Sequence, residues 1–173
     1  MANYAYTDYY FVGQKKELEE FISIISIEEV RAELGVSEIL NIEEDYSPEV
    51  YRVFVSTVTK WREYSEDFEK IIRENLLSIK MHWITEELAC LYFAKSADGD
   101  FYFPFKYLLE ADFVDEDDDI YKEYFENESR LVSYANEIFN TNFQIMEDVE
   151  NYANEFNKTH KDSFITVLKA VEK

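Results

Sequence analysis

The spacing of apolar residues changes several times along this chain, and each change marks an element. The opening NYAYTDYYFVG is rich in aromatic and β-branched residues and stops at Gly13, which predicts a strand over residues 3–12. In QKKELEEFISII, Leu18, Phe21, Ile22 and Ile25 fall at helical spacing, with Glu17, Glu19 and Glu20 on the other side, so an amphipathic helix follows. Ser26 and Glu29 read as a capping box opening a second, short helix in IEEVRAEL, with Gly35 placed to end it. Residues 36–49 read as a loop with a short strand at EILNI. EVYRVFVSTVTKW is dense in Val, Phe, Tyr and Thr and predicts a strand over 50–60. Ser65 then reads as the N-cap of a helix whose apolar face is Phe68, Ile71, Ile72 and Leu76. SIKMHWI and LACLYFAK are the next two strands. Asp98-Gly99 signals a hairpin turn, and FYFPF reads as the strand after it.

The order β-α-(α)-β-α-β-β-β suits an α+β sandwich, one antiparallel sheet with helices on one face. Beyond it, KYLLEADF reads as a strand. SRLVSYANEIF places Leu131, Ala135 and Ile138 on one helical face, and FQIMEDVENYANEF does the same for Ile145, Val149, Tyr152 and Phe156. DSFITVLKAV is strand-like. These elements divide the chain softly near residue 105, into an α+β domain over 1–105 and an acidic, mainly helical extension over 106–173. The extension ends in a strand and is expected to pack on the first part.

Charge changes this picture more than composition does. The chain has 173 residues, 47% of them apolar, enough for a hydrophobic core and too many for a disordered acidic tail. Its formal net charge is −21, with a pI near 4.3. Such a field repels nucleic acid and anionic lipid and speeds encounter with basic partners. Direct nucleic-acid binding is disfavoured, and binding to a protein whose own ligand is nucleic acid is favoured. Fourteen Tyr and fourteen Phe argue against a halophilic origin of the acidity. A single cysteine, Cys90, allows no intrachain disulfide, points to a reduced cytosol and reads as a small core residue. The first residues lack the basic and apolar regions of a signal peptide, and no apolar run approaches a membrane span.

The acidity is clustered. DFVDEDDDIYKEYFENE, residues 112–128, holds nine carboxylates against Lys122, a net charge of −8. Residues 14–49 hold eleven acids, including Glu43, Glu44 and Asp45, against Lys15, Lys16 and Arg31, again −8. Residues 115–119 do not make a calcium loop: the acids are contiguous, and the glycine of the sharp turn is missing. They read instead as the start of a helix, where negative charge meets the helix dipole favourably, with Ile120, Tyr121, Tyr124 and Phe125 as its apolar face. One or two carboxylates would serve that purpose, so the surplus asks for another explanation. No glycine-rich phosphate loop is present, since Gly13 and Gly35 are isolated. The zinc-ligand types Cys90, His82 and His160 are far apart in sequence, and no nucleophile elbow occurs.

The start MANYAYTDYYFVGQKKELEEF resembles the YubB-type ferredoxin-like domain family of plasmids and phages. Asn3 and Gly13 match that family's opening, with Tyr4 in place of its Trp. Thr59-Lys60-Trp61 resembles its Thr-Lys-Trp motif on a strand, and SIKMHWITEELACLYFAKSADGDF its paired strands, with Glu86 and Glu87 at an acidic turn. The resemblance covers residues 1–103. It implies a ferredoxin-like sheet and a mobile-element origin, and it carries no catalytic residues. The Thr-Lys-Trp motif itself reads as structural, a Trp packed on the sheet and a Lys paired with a carboxylate.

These readings converge on a non-enzymatic, cytoplasmic inhibitor that imitates nucleic acid and blocks a basic nucleic-acid-binding protein, as anti-restriction and anti-CRISPR proteins do. No catalytic residue, metal ligand or cofactor is expected. The expected contact residues are Glu43, Glu44, Asp45, Asp112, Asp115, Glu116, Asp117, Asp118, Asp119, Tyr121, Glu123 and Tyr124. The alternative is an acidic scaffold or subunit that binds its partner through exposed aromatics of the C-terminal part, such as Tyr121 and Tyr124.

Overall fold

Strand β1 (Tyr4–Gly13) is ten residues whose side chains alternate between buried and accessible positions. It pairs antiparallel along its whole length with β4 (Tyr51–Lys60) on one side, and with β5 (Lys80–Glu87) on the other. A strand hydrogen-bonded on both edges is central, and its two faces must both find partners. One face carries Tyr9 and Phe11. Against it pack Leu18, Phe21 and Ile25 of α1 (Lys15–Ile25), and Phe68 and Ile72 of α3 (Ser65–Glu74). Beyond β4 the sheet continues to β2 (Val36–Ile39) and the two-residue β3 (Glu43–Glu44); beyond β5 lies β6 (Tyr92–Lys95). The short α2 (Glu28–Glu33) joins α1 to β2.

The computed structural model describes residues 4–87, 91–113 and 120–173. The chain separates into two units, Met1–Phe103 with Glu172–Lys173, and Pro104–Val171. The chain end rejoins the first sheet through β10 (Val171–Glu172). The Lys173 N–H donates to the Lys95 carbonyl at 2.9 Å, and the Ala97 N–H donates to the Lys173 carbonyl at 2.8 Å.

The second unit is a three-stranded antiparallel sheet, β8 (Ile120–Phe125), β7 (Tyr107–Asp112) and β9 (Phe164–Lys169) in that order, with α4 (Glu128–Phe139) and α5 (Met146–Thr159). Its core joins Leu109, Ala111, Phe125 and Ile165 of the strands to Leu131, Ala135, Val149 and Ala153 of the helices. Asn127 caps α4 by accepting from the Arg130 N–H at 3.1 Å. Asn136 pins the α4–α5 connection: its side chain accepts from the Phe143 N–H and donates to the Phe143 carbonyl.

The protein is thus α+β in both units, and several local readings need correction. Ile120–Phe125 is a strand, not the face of a helix. Residues four apart share a face in a strand as well as in a helix, so the pairs Ile120/Tyr124 and Tyr121/Phe125 satisfied both periods; pairing with β7 decided the matter. The extension is therefore less helical than the sequence predicted. Ala97–Phe101 is a 3₁₀ helix instead of a hairpin turn, and FYFPF forms no strand. There Phe103 is buried, and Pro104 has no N–H to give a ladder. Ser26 closes α1 and makes no cap for α2, whose N-cap is Ile27. Tyr64, not Ser65, is the N-cap of α3, and its N–H donates to the Tyr9 hydroxyl at 3.0 Å. Glu86 and Glu87 lie within β5 and are buried, not at a turn. Trp61 is 61% exposed with φ 74°, so it does not pack on the sheet. Cys90 and residues 115–119 lie outside the described residues.

Gly35 follows α2 with φ +65°, where an added Cβ would stand 2.4 Å from the Val58 carbonyl oxygen. The close approach is built in, because the Gly35 carbonyl accepts from the Val58 N–H at 2.8 Å. Gly35→Ala is expected to destabilise the protein by roughly 2 kcal/mol, read as a lower denaturant midpoint at unchanged slope.

Candidate functional site

The expected contact residues fall into both units. In the first, Glu43 and Glu44 form β3 and are exposed, facing Arg52 and Tyr51 of β4 in register. Glu43 takes up the Arg52 guanidinium at 3.4 Å. Asp45 is different: its side chain is only 9% exposed. One carboxylate oxygen accepts from the Tyr102 hydroxyl at 2.9 Å, and the other stands 4.0 Å from the Arg52 guanidinium. Asp45 therefore organises this surface from beneath it. Burial and the bond to Asp45 push the Tyr102 hydroxyl up to about 12.

Glu44, in register with Tyr51, falls on the helix side of the sheet, whereas Glu43, Arg52 and Tyr102 sit on the face opposite α1 and α3. Tyr10, Phe54 and Tyr102 pack ring to ring there, with Tyr10 5.3 Å from Phe54 and 5.1 Å from Tyr102. Arg52 lies over both Tyr10 and Tyr46, at 5.8 and 5.5 Å. Tyr46 and Phe101, 78% and 65% exposed, meet edge to face at 5.3 Å. His82 stacks on Tyr102 at 4.7 Å, and burial holds its pKa below the ordinary value of 6.5.

In the second unit Asp112 ends β7, opposite Ile120 of β8, and is half-buried. Tyr121, Glu123 and Phe125 alternate onto the face of β8 that meets the helices, because their register partners include the core residues Ala111 and Leu109. Tyr121 and Phe125 join that core, and Tyr121 packs on Phe113 at 5.9 Å. Glu123 interrupts the apolar row and remains exposed. Tyr124, on the other face, is half-buried and packs on Phe105 at 5.7 Å. The two tyrosines expected as exposed anchors are thus partly committed to packing.

Glu123 and Tyr124 open onto a cleft of about 470 Å³ between β8 and α4. The helix contributes Arg130, Ser133, Tyr134 and Glu137, spaced as one stripe along its side. Tyr134 packs on Phe125 at 5.3 Å. Burial raises the Tyr134 hydroxyl above its usual range, and the carboxylates of Glu123 and Glu137 push it the same way. A strand acid and a helix acid therefore act on one ring. Of this lining, the acid–aromatic alternation in the sequence points to Glu123 and Tyr124 of β8. It misses the α4 half, because a polar stripe beside a buried helix face looks like ordinary solvent exposure.

Among the described residues, no group of three or more His, Cys, Asp or Glu is arranged to hold a metal. None of the described helices is long and apolar enough to cross a membrane. No family model, curated protein or solved structure matches the chain.

A histidine whose folded pKa is depressed binds its proton more readily when unfolded, so stability is lost as pH falls through the unfolded value. As pH falls through 6.5 and below, the wild type is expected to lose stability that His82→Gln does not lose, measured as the pH dependence of the denaturant midpoint in both.

Proposed function

We propose that this chain is a non-enzymatic acidic protein that binds a basic nucleic-acid-binding protein and blocks it by imitating nucleic acid, as an inhibitor encoded by a mobile element would. The observation that carries this reading is the cleft at β8 and α4, where exposed carboxylates surround aromatic rings on a chain of net charge −21. A basic groove built for phosphates meets repeated negative charge there, and the rings add the desolvated contact area that charge alone lacks. The Glu43–Arg52–Tyr46 surface of the first unit has the same mixture of acid and ring. We also propose that the first unit is a ferredoxin-like domain of the YubB type. The strand order β5-β1-β4-β2, with α1 and α3 on one face, supports this, since it is the order of a split β-α-β pair. A cytoplasmic site of action goes with that proposal.

A second reading has its own support in the exposed Tyr46–Phe101 pair, which suits docking through aromatic contact without much charge. Salt separates the two. A nucleic-acid-binding protein captured from the natural host at low salt is expected to elute as salt rises, with affinity falling about tenfold or more between 50 and 200 mM. Duplex DNA is expected to compete with the chain for it. Binding that survives neutralisation of residues 112–128 together with Glu43 and Glu44, or that ignores salt, overturns nucleic-acid mimicry and favours aromatic docking.

A further inference from the structure

The β8–α4 cleft is more specific than a negative patch. Its aromatic wall is Tyr134, which lies against the buried Phe125. Tyr124 reaches its edge from the other face of β8, where it packs on Phe105 and lies under the Lys122 ammonium. Its rim is acidic, with Glu123 and Glu126 from the strand end and Glu137 from the helix, all exposed. Arg130 lines it as well, so three carboxylates outnumber one guanidinium. A cavity with an aromatic wall and a carboxylate rim selects among cations. A lysine ammonium is compact and strongly hydrated, and it gains little from a ring it must dehydrate to reach. A guanidinium is planar and weakly hydrated. It can lie on a tyrosine face while its edge donates paired hydrogen bonds to a carboxylate. The first unit makes a related arrangement internally, where Arg52 lies over Tyr10 and Tyr46 and donates one hydrogen bond to Glu43.

We infer that the cleft between β8 and α4 is a receptor for an arginine side chain of the protein partner, with Tyr134 as its stacking surface and Glu123 and Glu137 as its acceptors. The inference rests on the reading of the chain as a binder of basic proteins, and it narrows that reading to one subsite and one side-chain type. Long-range attraction brings the basic surface close, and the cleft fixes its register by admitting one guanidinium.

The test uses the full chain and two fluorescein-labelled probes, nona-arginine and nona-lysine, followed by fluorescence anisotropy over a salt series. Glu123→Gln with Glu137→Gln is expected to weaken nona-arginine binding about tenfold. Glu19→Gln with Glu20→Gln removes the same charge from the exposed side of α1 and is expected to change it about twofold or less. Ser133→Arg places a second guanidinium of the chain at the cleft, beside Arg130, and is expected to weaken binding as the first pair does. Far-ultraviolet circular dichroism checks that each variant is folded. Nona-arginine is expected to bind more tightly than nona-lysine to the wild type, and the two are expected to converge in the cleft variants. Equal losses in the two Glu→Gln pairs, an unchanged Ser133→Arg variant, or wild type that does not distinguish the probes overturns the arginine receptor. In each of these cases salt-dependent binding still supports the broader reading. A wild type that binds neither probe at low salt overturns both.

Discussion

The aromatic contact across the face of β1 is the interaction on which the first unit depends. Phe11 stands 4.5 Å from Phe21 of α1 and 5.2 Å from Phe68 of α3, and Tyr9 stands 4.7 Å from Phe68. Each of these four rings is fully buried. Burying one such side chain contributes about 1.5–3 kcal/mol, whereas an exposed pair such as Arg62–Asp67 contributes under about 1 kcal/mol. The core therefore carries the stability, and the surface charge is free to serve something else. Self-repulsion at a net charge of −21 is a cost that only a well-packed core can absorb.

Because β1 is central, its alternation has consequences on both sides. Tyr9 and Phe11 point to the helices, so Tyr10 points away from them. There it gathers Phe54, Tyr102 and Phe103 into a second aromatic layer. The 3₁₀ helix Ala97–Phe101 turns the chain so that Tyr102 reaches His82 and Asp45. The buried Lys95 helps hold that turn by donating to the Asp100 carboxylate and the Phe103 carbonyl. An acid that looked like part of a surface run, Asp45, is consumed in this arrangement, while Glu43 and Glu44 beside it remain exposed.

In the second unit one register does comparable work. Pairing Leu109 with Glu123 places a carboxylate in a row otherwise occupied by Tyr121 and Phe125. On a central strand that acid would be buried beneath the helices. On the edge strand β8 it reaches the border of α4, where it shares Tyr134 with Glu137. The cleft exists because an edge strand tolerates a charge that the middle of the sheet would not.

Periodicity in the sequence was enough for the α+β class, for β1, β4, β5 and β9, for the buried faces of α1 and α4, and for most of those of α3 and α5, because long amphipathic segments bury the same face whatever lies above them. Leu76 and Ile145, expected on the α3 and α5 faces, fall just outside those helices and are exposed. The clustering of acid with aromatic residues was legible too, since it is a property of order along the chain. What only the tertiary structure decided is where short segments pair and which acids stay exposed. Ile120–Phe125 has a spacing that serves helix and strand alike, and hydrogen bonding to β7 settled it as a strand. The polar stripe of α4 gained meaning only from the strand beside it. A carboxylate becomes a binding group or a buried strut according to its neighbours in space, as Glu123 and Asp45 show, and those neighbours come from distant parts of the chain.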